Sequence, residues 1–178
     1  EEEALLGAVH WANHPLVPVS RTVANLNVDG LAHIDAFSEV IGIGTELSTL
    51  GETLERVARR RGLRVVEPPA VLADSEAFAL SDQAAFAEAG IPALLVNEGF
   101  AGGRLPAEAA LERFLEWGRT RYHRPSDDLT QPLDFDASRA HAALLLDLVL
   151  ELAEGPEAPR WREGTAYAAA RARARAEG

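Results

Sequence analysis

The sequence predicts a three-layer α/β fold, a mixed β-sheet with helices on both faces. Three observations predict it. Twice a helical segment ends in a glycine and passes at once into a short apolar strand, at Gly62 and at Gly90. Thr22 to Gly30, T-V-A-N-L-N-V-D-G, is an apolar run rich in β-formers that closes on a carboxylate and a glycine. Asp136 to Ala153 has the length and leucine spacing of a helix laid against a sheet.

Taken in order, Ala4 to Asn13 reads as a helix, with Leu5, Leu6, Val9 and Ala12 near helical spacing, and His14-Pro15 closes it. The Thr22 run follows as a buried strand that delivers Asp29 to its C-terminal end. Val40 to Ile43 is a short strand, and Thr45 or Ser48 caps a helix from about Leu50 to Arg61. Leu63 to Glu67 is a strand stopped by Pro68-Pro69. Ser81-Asp82 caps a helix running to Ala89, and Ile91 to Asn97 is another buried strand. A loop with Gly99, Gly102 and Gly103 leads to an amphipathic helix from Pro106 to about Gly118. After the Tyr122 to Asp128 loop and the long helix, Glu154-Gly155-Pro156 marks a boundary between a body of residues 1–155 and a tail of residues 156–178. The tail ends in a helix, Ala166 to Glu177, expected at the surface or frayed.

The chain of 178 residues suffices for one domain with a substantial core. A formal charge of −11 argues against a nucleic-acid surface, which needs a basic face. No apolar run is long enough for a transmembrane helix. Cysteine is absent, so a metal would be held by His, Asp and Glu alone. All 17 basic residues are arginine, a bias of composition rather than a functional signal.

Three places carry chemistry. Asp29 before Gly30 stands where ligands gather in open α/β sheets, at the carboxyl end of a strand. Glu1 and Glu2 precede the first helix, where its dipole favours negative charge. His123, in Tyr122-His123-Arg124-Pro125-Ser126-Asp127-Asp128, sits in a loop stiffened by proline. Taken singly, each has an ordinary reading: a turn aspartate, a solvated end, a loop histidine.

Their order is informative. E-E-x-x-L-L-G, N-x-D-G, S-D-Q-x-x-F-x-x-x-G-I-P-A and Y-H-R-P-S-D-D follow one another from Glu1 to about Leu152 in a pattern that resembles the co-catalytic dizinc aminopeptidase family, which includes bacterial leucyl-type aminopeptidases and glutamate carboxypeptidase. The resemblance implies a zinc-dependent exopeptidase that hydrolyses peptide bonds through a metal-bound water. It implies Glu1 as general base, Glu2 and His123 as ligands of one zinc, Asp29 as a ligand of the other, and Tyr122 as the donor to the tetrahedral oxyanion. The substrate would be a peptide or aminoacyl compound.

The chain departs from the family pattern in three places. Ala4 replaces a glycine, and Gln83 stands where many relatives have histidine, which predicts altered packing or substrate contacts with metal chemistry intact. The family's H-x-D segment and bridging aspartate have no match, since His10, His14 and His33 lie elsewhere. The expectation is therefore a C-terminal part of a catalytic domain, truncated at the N-terminus, inactive alone and partnered by the N-terminal part of the same protein. Two zinc ions are expected in the full-length protein. The alternative is a metal-free receptor-like or scaffold homologue. His10 and His14, spaced four apart, read as surface or packing residues, as does His141, and Arg171, Arg173 and Arg175 as a solvated helix. Within enzymes, the same resemblance extends to a carboxypeptidase or a glutaminyl cyclase on this fold.

Overall fold

A computed structural model describes residues 5–30, 35–73 and 77–177. Four strands form one mixed sheet in the order β1-β4-β2-β3. They are β1 (Asn25–Asn27), β2 (Glu39–Ile43), β3 (Arg64–Val66) and β4 (Ala93–Glu98). β1 runs parallel to β4 with Leu26 opposite Leu94, and β2 runs parallel to β3 with Val40 opposite Val65. β2 and β4 are antiparallel, with Ile41 opposite Asn97.

The helices are α1 (Leu6–Asn13), α2 (Leu50–Arg60), α3 (Ala70–Ala73), α4 (Gln83–Glu88), α5 (Ala107–Thr120), α6 (Phe135–Glu154) and α7 (Ala166–Glu177). On α2, Leu50, Leu54, Val57 and Ala58 are all fully buried, the i, i+4, i+7, i+8 stripe of a helix facing a core. On α6, Ala137, His141, Leu144, Leu145 and Leu148 form the matching stripe. The α2 stripe and Leu144, Leu145 and Leu148 of α6 pack with Val40, Leu94 and Val96 in one cluster. Each fully buried leucine contributes about 1.5–3 kcal/mol. His141 is thus a core residue, 1% exposed, with its ring edge-on to Phe37.

Alternate residues of β4 serve different clusters, since Ala93 packs with Ala87 and Trp161 instead. α1 docks on α4 through the rings of Trp11 and Phe86, 5.1 Å apart. No described helix is long and apolar enough to cross a membrane.

The strand expected over Thr22 to Gly30 is shorter and less buried than its composition suggests. Only Asn25–Asn27 joins the ladder, all three half-buried, because β1 lies at an edge of the sheet. Before it stands a 3₁₀ turn, Val19–Arg21, and after it Gly30 takes φ +79°, a left-handed geometry open to glycine. The first helix begins at Leu6, since Leu5 adopts φ +53°. α6 is capped by Asp134, whose carboxylate accepts from Ala137 N at 2.9 Å.

Candidate metal centre

The approach to β1 is fixed by backbone bonds. Arg21 N donates to Pro18 O at 2.9 Å, and Asn25 N donates to Pro92 O at 2.8 Å, which registers the strand against β4. The next polar side chain, Asn27, donates from Nδ2 both to Ser81 Oγ and to Gln83 Oε1, each at 2.8 Å. Gln83 is fully buried, and its own Nε2 donates to Phe78 O at 2.8 Å and Ala77 O at 3.1 Å.

The proton directions in this chain follow from the donor inventory. Gln83 spends its two N–H groups on carbonyls, so its oxygen accepts from Asn27. Asn27 spends its second N–H on Ser81, so the serine oxygen is an acceptor there. The single serine proton is then left for Asp29, and Ser81 Oγ donates to Asp29 Oδ2 at 3.2 Å. Three residues from two segments, Asn27, Ser81 and Gln83, orient one carboxylate at the carboxyl end of a strand.

Gln83 is fully buried with its amide bonded to two carbonyls, so the side chain acts in packing in this structure and is closed off from solvent. Its role was hidden from sequence reasoning because Asn27 lies 56 residues away. The signal that pointed toward it was the substitution itself, in the segment next to Ser81.

Tyr122 and His123 follow the end of α5. Their rings stack with centroids 3.7 Å apart, and Tyr122 also meets Trp117 at 5.0 Å. Phe114 and Phe100 continue the row, at 5.8 Å from Trp117 and 5.5 Å from Phe114. This aromatic row, which sequence reasoning missed, sets Tyr122 between Trp117 and His123, with the residue 47% exposed. His123 has φ +57°, and a non-glycine residue held left-handed is uncommon enough to mark a constrained position.

The loop is braced from within. Arg121 donates to Ser126 O at 3.0 Å, Ser126 Oγ to Thr120 O at 3.2 Å, and the Trp117 indole to Gln131 Oε1 at 2.8 Å. Asp128 accepts from the Thr130 hydroxyl and the Thr130 N–H, and these bonds hold its carboxyl below the usual range.

Glu1 and Glu2 lie outside the described residues. Among the described residues no group of three or more His, Cys, Asp or Glu could hold a metal ion. His10 and His14 stack at 4.6 Å, and His14 Nδ1 lies 3.2 Å from His10 O. Asp29 and His123 offer a carboxylate and an imidazole, groups of the type zinc takes, and neither belongs to a cluster of three such groups among the described residues. They need further donors to complete a site.

The model of Peptidase family M28 matches residues 1–149, and the chain belongs to that family, metallopeptidases that are typically zinc-dependent. No curated protein and no solved structure matches the chain.

Proposed function

We propose that this chain carries part of the catalytic centre of a zinc-dependent exopeptidase of aminopeptidase type, acting on peptide or aminoacyl substrates. The observation that carries the proposal is the oriented carboxylate of Asp29, bonded by Ser81, which is fixed in turn by Asn27 and Gln83. A turn aspartate has no need of such support, whereas metal-ligating carboxylates are held by hydrogen bonds from neighbouring groups.

Asp29 would hold one zinc, and Glu2 with His123 the other. Bound zinc supplies Lewis acidity that polarises the scissile carbonyl. Glu1 takes a proton from the attacking water and returns it to the leaving amine. The Tyr122 hydroxyl donates to the oxygen on which negative charge develops. The aromatic row and the hydrogen bonds within the loop support that placement of the phenol.

The remaining donors come, in this reading, from an N-terminal part of the same protein. β1 offers it an edge of the sheet, and Val23 and Val28, on either side of the strand, are 43% and 49% exposed. The three-layer architecture belongs to the same reading, supported by the use of alternate β4 residues in two clusters.

Elemental analysis after dialysis against trace zinc tests it, on the full-length protein and on residues 1–178. Two zinc ions in the former and little in the latter is the expected result. No zinc in either would leave the fold as a metal-free scaffold. In the full-length protein Glu1→Gln is expected to abolish turnover with zinc retained, and loss of zinc in that variant would overturn the base assignment.

A further inference from the structure

Beyond residue 149 the chain leaves the family match, yet it stays against the body. Thr49 N donates to Arg160 O at 2.9 Å and Arg162 N to Leu47 O at 2.8 Å, tying the tail to the start of α2. The Trp161 indole, 7% exposed, donates to Gly90 O at 2.9 Å. α7 then crosses α4 and the 3₁₀ turn that feeds β1. Arg173 and Arg175 are exposed as expected, but Arg171 is buried, 9% exposed.

Its guanidinium spans the chain leading to β1. Nη1 donates to Val19 O at 2.6 Å, and Nη2 donates to Thr22 O at 2.9 Å and to Ser20 O at 3.4 Å. A planar fork with several N–H donors suits a curved set of carbonyls in a way that an ammonium does not. Burial, and then the charge of Arg175, pull the Arg171 pKa below its ordinary value, so the group gives up solvation to make these bonds.

We propose that Arg171 is a positioning residue for Asp29. α7 presses on α4, which begins with Gln83 two residues after Ser81, while Arg171 grips the segment three residues before Asn25. The two strands of chain joined by the Asn27–Ser81–Asp29 bonds are thereby held in register from one helix. The inference rests on the reading of Asp29 as a zinc ligand.

The test compares Asp29→Ala, Arg171→Ala and Trp161→Phe in the full-length protein. Zinc affinity is read by chelator competition, melting temperature by calorimetry, and amide hydrogen exchange over residues 19–29. Trp161→Phe removes the bond to Gly90 and loosens the tail without touching residues 19–22. Arg171→Ala is expected to weaken one zinc by about tenfold, the scale of lost supporting bonds at metal sites, and to speed exchange over residues 19–29. Trp161→Phe is expected to lower the melting temperature with zinc affinity kept.

If zinc affinity falls in both variants in proportion to melting temperature, Arg171 is structural only and the inference is overturned. Unchanged zinc and exchange in Arg171→Ala overturns it too, with the Asp29 reading intact so long as Asp29→Ala loses zinc. Full zinc binding by Asp29→Ala overturns the ligand reading and this inference with it.

Discussion

The hydroxyl of Ser81 donates to Asp29 Oδ2 at 3.2 Å while it accepts the amide of Asn27 at 2.8 Å. One side chain thus connects the half-buried Asn27 and the buried Gln83 to the carboxylate at the end of β1. Ser81→Ala removes the connection and little else. It is expected to weaken zinc binding by about tenfold or more and to cost only about 1 kcal/mol in stability. Chelator competition beside a urea titration checks both, and unaltered zinc affinity would show that Asp29 needs no orienting partner.

His123 is held at φ +57°, a conformation that asparagine tolerates as readily as histidine. His123→Asn should keep stability within about 0.5 kcal/mol and remove one zinc from the full-length protein. A large loss of stability with zinc retained would reassign the residue to packing against Tyr122.

Gly90 has φ +89°, and a Cβ built there lies 2.5 Å from Arg171 N and 2.7 Å from its Cα. A backbone cannot turn aside as a side chain can. Gly90→Ala therefore combines a left-handed alanine, about 1–2 kcal/mol, with displacement of α7, for a total of about 3 kcal/mol or more. Limited proteolysis should cut residues 156–165 faster in the variant, and unchanged cleavage would refute the close approach.

The tail also has an acid-sensitive anchor, the ion pair between Glu52 and Arg162. The hydrogen bond from Arg162 lowers the pKa of Glu52, opposed by burial, so the folded state binds that proton less readily than the unfolded chain. A depressed carboxyl contributes stability above its unfolded value of about 4.3 and loses it as pH falls through the folded value. Glu52→Gln should flatten the fall in stability below that point and change the slope little at neutral pH. Urea midpoints measured across the acid range decide this, and an unchanged acid limb would exclude the pair as an anchor.

Periodic features were legible in the sequence. α6 was expected from Asp136 to Ala153 and occupies Phe135–Glu154, and α2, expected from about Leu50 to Arg61, occupies Leu50–Arg60. The membership of the family followed from four ordered motifs, and no single one would have sufficed. β1 was misjudged because β-propensity measures fit to a pleated surface and is blind to a strand's place at the edge of a sheet.

The support of Asp29 was illegible for a different reason. Asn27 and Gln83, or Thr22 and Arg171, are distant in sequence, and nothing local distinguishes the buried Arg171 from the exposed Arg173 and Arg175. Only packing selects the one arginine of the three that faces inward.

The grip of Arg171 on Val19 joins residues 152 positions apart. During synthesis the α2–α6 core, with β2 and β4, can collapse before α7 is made, since its buried residues all lie within residues 40–148. The segment before β1 must wait for α7 to emerge, and closing so long a loop is slow. A nascent chain therefore has a packed core before the approach to Asp29 is fixed, and that approach is completed only once α7 has been made.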